Sequence, residues 1–166
     1  MTRRAIVLIV SILLIIGITA AGCKKGCPSV DAKAPEFSLT ELGGNTVALK
    51  DYEGKPVVLV FWQTTCTWCS YQMPFIQEAA NKFAGSGLVV LAVNVGESAE
   101  KVKTYKDQGK YTLTFVLDKD ATTNTDYCVP AFPATVFISK QGTIKSAKLG
   151  AFQTENELEE YLKQLN

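Results

Sequence analysis

The stretch Val57-Val58-Leu59-Val60-Phe61-Trp62-Gln63-Thr64-Thr65-Cys66-Thr67-Trp68-Cys69 decides how the rest of this 166-residue chain is read. Its first six residues form an unbroken apolar run of strand length, as in a strand covered on both faces. A helical pattern follows and extends to about Ala84, with Pro74 as an expected interruption. Cys66-Thr67-Trp68-Cys69 lies at the junction. A Cys-x-x-Cys that opens a helix sets its first sulfur against N–H groups with no intrahelical partner and against the positive end of the helix dipole. Both favour thiolate. Cys66 is therefore the candidate nucleophile. Cys69, one turn inward, is the candidate resolving thiol: it releases the mixed disulfide formed when Cys66 attacks a substrate.

Two plainer readings compete. A zinc half-site needs further ligands, and the chain has neither a second Cys-x-x-Cys nor a histidine. An inert structural disulfide suits an exported protein, but a strand-to-helix junction is a poor place for one. No metal is expected, and no cofactor beyond a redox-active Cys66–Cys69 disulfide.

Outward from the junction, residues 88–95 form a second apolar run. Residues 98–108 read as a helix capped by Ser98, and residues 113–117 as a third strand. Residues 135–139 and 143–149 flank Lys140-Gln141-Gly142 and predict a hairpin. Residues 37–39 and 46–49 flank Gly43-Gly44-Asn45 and predict another at the N-terminal end. The last helix opens with Thr154 and Glu157 at capping-box spacing and carries Leu158, Tyr161, Leu162 and Leu165 on one face. This order predicts an α/β domain over residues 36–166: a central mixed β-sheet with helices on both faces.

Seventeen basic and sixteen acidic residues leave a formal charge of +1, which argues against nucleic acid as a partner. The absence of histidine removes Ser-His-Asp and Cys-His catalysis and any imidazole metal ligand. Five cysteines then require an explanation. The N-terminus accounts for one. Arg3 and Arg4 precede eighteen uncharged residues, 5–22, which end in Ala20-Ala21-Gly22 before Cys23. A basic start, an apolar stretch and small residues describe an export signal. The following cysteine resembles a bacterial lipobox, with Cys23 as the lipidated residue, although Ala20 stands where that motif more often has leucine. An uncleaved membrane-spanning anchor is the alternative. Both place the folded part outside the cytoplasm, on the periplasmic side. Residues 23–35, rich in Lys, Gly, Pro and Ser, read as a tether; twelve extended residues reach at most ~40 Å.

Taken together, Val58 to Pro74 resembles the signature of the TlpA/ResA-like thioredoxin family: a strand ending Phe-Trp, a Cys-x-x-Cys, then Met-Pro. Ala34-Pro35-Glu36-Phe37 resembles the opening of that family. Tyr127-Cys128-Val129-Pro130-Ala131-Phe132-Pro133-Ala134-Thr135 resembles its Tyr-x-Val…Pro-Thr-Thr segment. The resemblance implies a thioredoxin-like fold with an N-terminal β-hairpin and a membrane-anchored, extracytoplasmic thiol–disulfide oxidoreductase. It implies a cis bond before Pro133, opposite the Cys-x-x-Cys, exposing the backbone of Phe132 to a bound substrate chain. It also implies substrate-binding or structural roles for Trp62, Thr67, Trp68, Gln72, Phe132 and Pro133.

The chain departs from that pattern where relatives carry a carboxylate serving the shielded thiol. Val60 replaces the aspartate of thioredoxins, and Gln72 replaces a glutamate. Gln72 can hydrogen-bond but cannot titrate, so water or another acid must take the proton from Cys69. Glu97 is a candidate, against the alternative of a solvated loop acid. Cys128 reads first as a buried free thiol, with pairing to Cys27 or an auxiliary redox role as alternatives. Cys27 in the tether is free, palmitoylated or disulfide-linked.

The leading function is a monomeric reductase for disulfides in exported proteins, serving cell redox homeostasis and cytochrome c maturation. It would be fed by a membrane thiol–electron carrier. Oxidase and isomerase roles stay open. A thiol peroxidase would need Pro and Thr or Ser ahead of Cys66, where Leu59 and Gln63 stand; a copper-delivery module would need histidine. A binding module with a vestigial Cys-x-x-Cys is the remaining alternative.

Overall fold

A computed structural model describes residues 26–165. The sheet has seven strands: β1 (Ser38–Glu41), β2 (Thr46–Ala48), β3 (Val57–Trp62), β4 (Val89–Val95), β5 (Thr114–Asp118), β6 (Ala134–Ile138) and β7 (Ile144–Leu149). Their spatial order is β2-β1-β5-β4-β3-β6-β7. β3 lies parallel to β4 and antiparallel to β6, and β4 is parallel to β5. The sheet is therefore mixed, with antiparallel pairs at both ends.

Every residue of β3 is buried, which is why it reads as continuously apolar rather than alternating. Its alternate residues feed two cores. Val58, Val60 and Trp62 face a layer with Cys69, Met73, Phe115, Phe137 and Leu158; Val57, Leu59 and Phe61 face the opposite layer with Phe37, Val93, Val116 and Tyr127. The first layer receives helices α1 (Thr67–Phe83), α2 (Ala99–Gly109) and α4 (Glu155–Leu162) through Ile76, Val102 and Leu158. The N-terminal segment and the residues flanking a short helix, α3 (Thr122–Asp126), cover the second.

α1 runs unbroken through Pro74, contrary to the expected interruption. An interior proline costs about 3 kcal/mol. Met73 and Ile76 on the same turn are fully buried and offset that at roughly 1.5–3 kcal/mol each. Ser98 caps α2, accepting the Lys101 N–H. Thr154 caps α4, but the Glu157 carboxylate reaches back to the N–H of Gln153, one residue before the cap. α3 has no apolar period to announce it. It forms because the buried Asp118 carboxylate accepts the N–H groups of Thr123 and Asn124 at 3.1 and 2.7 Å.

The stretch read as a tether is attached to the domain over much of its length. Asp31 N–H donates to Ile144 O, Ile144 N–H to Ala32 O, and Ala34 N–H to Gly142 O. Asp31 pairs with Lys145, and the Tyr127 hydroxyl donates to Pro35 O. Upstream of these bonds, Cys27 forms a disulfide with Cys128, with Cα atoms 5.5 Å apart. This corrects the reading of Cys128 as a buried free thiol. Cys128 sits in a turn at φ 51°, where its side chain is exposed and meets the incoming N-terminal segment. Residues 1–22, the lipidation candidate Cys23 and the start of the tether lie outside the described residues. No helix among the described residues is long and apolar enough to cross a membrane.

Candidate active site

Cys66 and Cys69 form a disulfide with Cα atoms 5.2 Å apart, at the junction of β3 and α1. Cys66 is the N-cap of α1. Its sulfur occupies the place of a capping oxygen and accepts the N–H of Cys69 at 3.1 Å. Cys66 is half-buried, whereas Cys69 has no exposed surface and shares a layer with Val60, Trp62 and Met73. The two sulfurs thus have opposite surroundings. A helix N-terminus and an N–H donor favour thiolate at Cys66. An apolar layer favours the neutral thiol at Cys69.

Across from the pair lies a cleft of about 250 Å³ lined by Trp68, Phe132, Pro133, Gly150, Ala151 and Gln153. The Phe132–Pro133 peptide is cis. Gly150, at φ 87°, makes the turn that lets its N–H donate to Pro133 O at 2.8 Å; a side chain there would be strained. Among the described residues, neither Ala131 nor Phe132 makes a backbone hydrogen bond, so one rim of the cleft is an unpaired edge. Trp68 is 58 % exposed and stands edge-on to Tyr71, itself exposed and edge-on to Phe75. The Tyr71 hydroxyl donates to the backbone carbonyl of Gln153, one of the lining residues. Thr67 is also exposed.

The loop ahead of Cys66 is fastened to the end of β4. Gln63 Nε2 donates to Val95 O at 3.0 Å. The Glu97 carboxylate accepts the N–H of Thr64, the hydroxyl of Thr64 and the amide of Asn94, each at 2.7 Å. Its side chain is only 9 % exposed. Burial by itself raises the Glu97 pKa, but the bonds from Asn94 and Thr64, helped by Lys101, outweigh it and hold the carboxyl below its ordinary range. Glu97 is therefore not a solvated loop acid: its oxygens are bonded to Thr64 and Asn94.

Residues 30–147 match the AhpC/TSA family. A thiol-disulfide oxidoreductase ResA of Geobacillus kaustophilus is 34 % identical over 142 residues, covering 86 % of this chain and 81 % of that protein. The thioredoxin-like protein YneN of Bacillus subtilis is 35 % identical over 133 residues, covering 78 % of this chain and 76 % of its own. Among solved structures, a Chlorobium tepidum protein assigned as the thiol:disulfide interchange protein DsbE superposes with a TM-score of 0.78 at 26 % identity, over 84 % of this chain and 99 % of that one. This chain belongs to the ResA-like thiol–disulfide oxidoreductases of the AhpC/TSA family. Its fold is thioredoxin-like; proteins of that fold use a redox-active disulfide, and Cys66–Cys69 is the disulfide placed at this site.

In this oxidoreductase the peroxidase positions are occupied otherwise. Leu59 is fully buried on β3, and the Gln63 amide is spent on Val95. Trp62 is core: it packs at 4.5 Å from Tyr105 and 5.4 Å from Phe115, with no surface to offer a substrate. Gln72 is buried one turn beyond Cys69, and its Oε1 accepts the Phe152 N–H. Gln72 Nε2 and Thr135 Oγ1 are buried polar atoms without a partner among the described residues. Thr135 stands opposite Val60 in the β3–β6 register, on the Cys69 side of the sheet. Sequence reasoning does not single out Tyr71, Gly150, Thr64 or Thr135 as site residues. A Thr two residues after the proline was visible in the sequence, whereas the others depend on contacts 33 or more residues apart or on a turn.

Proposed function

We propose that this oxidoreductase reduces disulfides in exported proteins outside the cytoplasm. Residues 1–22 direct export, Cys23 is lipidated and anchors the chain, and residues 36–166 form the working domain. The observation that carries the reading is the asymmetry of the cysteine pair: Cys66 half-exposed at the N-cap of α1, Cys69 buried behind it. The Cys66 thiolate attacks one sulfur of a substrate disulfide; that bond breaks and one substrate thiolate leaves. The substrate chain meanwhile pairs with the free edge at Ala131 and Phe132 and rests against Trp68. Cys69 then loses its proton and attacks Cys66 Sγ. The Cys66–Cys69 disulfide forms, and the second substrate thiolate departs. Two electrons pass to the substrate. With Val60 and Gln72 where relatives carry acids, and Glu97 tied to Thr64, the departing substrate thiolate takes the Cys69 proton. A membrane thiol carrier restores the dithiol. Substrates include the Cys-x-x-Cys-His segments of apocytochromes c.

Trapping tests this directly. Cys69→Ser accumulates mixed disulfides through Cys66 with exported proteins. Absence of adducts, together with no reduction of insulin by the unmodified protein, would leave only a binding module. The Cys66–Cys69 potential sets the direction. A value near roughly −270 mV, as in thioredoxin, supports a reductase, and one near about −120 mV, as in DsbA, an oxidase.

A further inference from the structure

We infer that Cys27–Cys128 is a second thiol-exchange site: a surface clasp that external thiols open in the folded protein, releasing residues 26–30. Three observations support it. Both cysteines are exposed, so an incoming thiolate can reach either sulfur. Among the described residues, residues 26–30 make only a local turn bond, Ser29 O accepting the Ala32 N–H at 3.1 Å; the first bond to the sheet is made by Asp31, through Ile144 O and Lys145. Val30 is 58 % exposed and buries little. Opening the clasp therefore breaks little packing, with Pro28 the one half-buried residue of this segment.

A magnitude separates this bond from a core staple. In the reduced, folded protein the Cys27 thiol would hang from Asp31 by four residues. A short flexible leash of that kind gives an effective concentration of roughly millimolar. A cysteine pair fixed by rigid neighbours reaches far higher values, about 10⁵ M or more in the best-oriented cases. The clasp is therefore poised against millimolar thiol. The exchange balances simply. One thiolate breaks the Cys27–Cys128 bond and forms a mixed disulfide; a second displaces the protein sulfur. The products are two protein thiols and one oxidised disulfide, with two electrons supplied by the external thiol.

Opening moves the first fixed residue from Cys27 to Asp31. The stretch between Cys23 and the first fixed residue then lengthens by four residues, or roughly 13 Å of reach. That lengthening matters only with Cys23 held at a membrane, as proposed above; the exchange itself does not depend on it.

The test equilibrates the native protein in glutathione buffers with [GSH]²/[GSSG] from about 10⁻⁵ to about 1 M, bracketing the millimolar expectation. Acid quenching, alkylation and peptide mass spectrometry then score the 27/128 and 66/69 pairs separately. The expected midpoint for 27/128 is in the millimolar range with circular dichroism unchanged. A pair that stays closed across the whole range would overturn the inference. An eight-residue Gly/Ser insertion between Val30 and Asp31 triples the leash and lowers the midpoint about fivefold, by the −3/2 power of length. A midpoint unmoved by the insertion means that neighbouring structure, not the leash, holds the pair, and also overturns it. Neither readout needs turnover. Failure of insulin reduction would therefore count against the proposed reductase alone.

Discussion

The molecule holds two disulfides built from the same atoms with opposite settings. Cys66–Cys69 spans three residues at a rigid strand-to-helix corner, with one sulfur capping a helix and the other in the core. Cys27–Cys128 spans 101 residues and joins two surface loops. In the chain-entropy account the short loop constrains the unfolded chain by only about 2 kcal/mol, against about 4.7 kcal/mol for a loop near 100 residues. The pair with less to contribute to stability is the one placed where helix and core separate the chemistry of its two sulfurs. The pair with more to contribute sits with both of its cysteines exposed. What a disulfide does is set by the rigidity and polarity around each sulfur, not by the bond.

The sharpest break in that comparison is loss of the nucleophile. Cys66→Ser reduces turnover of a protein disulfide to the uncatalysed background. The double variant Cys27→Ser/Cys128→Ser keeps turnover within about twofold, because neither residue touches the cleft or the helix cap. An insulin-reduction assay on both variants measures this. Equal losses would erase the division of labour.

Stability separates the two pairs the other way. The leash at Asp31 already confines Cys27 to within four residues of its partner site, so the clasp gains only the difference between a four-residue and a 101-residue closure. That difference is about 3 kcal/mol by the −3/2 power of length. The Cys27→Ser/Cys128→Ser variant should lose this much in urea unfolding and roughly 6–12 °C in Tm. A loss near zero would mean that the closed clasp carries strain equal to its gain.

The legibility of the sequence follows the same divide. The β3–Cys-x-x-Cys–α1 junction was readable because its signals are local: a six-residue apolar run, a helix N-terminus and two cysteines one turn apart. Residues 31–35 read as a free tether because what holds them is a set of bonds to residues 142–145 and 127, more than 90 positions away. No local pattern encodes such contacts. Pro74 misled in the opposite direction: its local cost was visible, but the burial of Met73 and Ile76 that outweighs it was not. Residue type alone favours a buried Cys128, whereas in the structure it is exposed in a left-handed turn.

Glu97 carries the comparison into the loop that leads to Cys66. Glu97→Ala leaves the Asn94 amide and the Thr64 N–H and hydroxyl without their acceptor, at a cost of about 2 kcal/mol. The linked pH dependence has a definite sign. The folded-state pKa lies below the ordinary 4.5, so the stabilisation is complete above that value and fades as pH falls through the lower one. Unfolding titrations of the parent protein and Glu97→Ala between pH 7 and pH 3 should converge at the acid end. Parallel curves would mean that the carboxylate charge plays no part in holding the loop.

The smallest expected effect bears on the least differentiated step, deprotonation of Cys69. Gln72 is buried one turn beyond it, with one amide atom bonded to Phe152 and the other unpartnered. Gln72→Glu keeps the shape and adds a titratable group. Once ionised, that carboxylate opposes a second negative charge nearby. Thiolate formation at Cys69 should then move up by about one pH unit, while Cys66, on the helix cap, keeps its profile. The same carboxylate offers a base for the resolving step, so mixed-disulfide release gains a dependence on its ionisation that the parent lacks. Alkylation of each thiol against pH, resolved by peptide mass spectrometry, separates the two effects. A Cys69 profile identical to the parent's would place the Gln72 side chain out of range of the sulfur. The proton of the buried thiol would then be governed by the substrate alone.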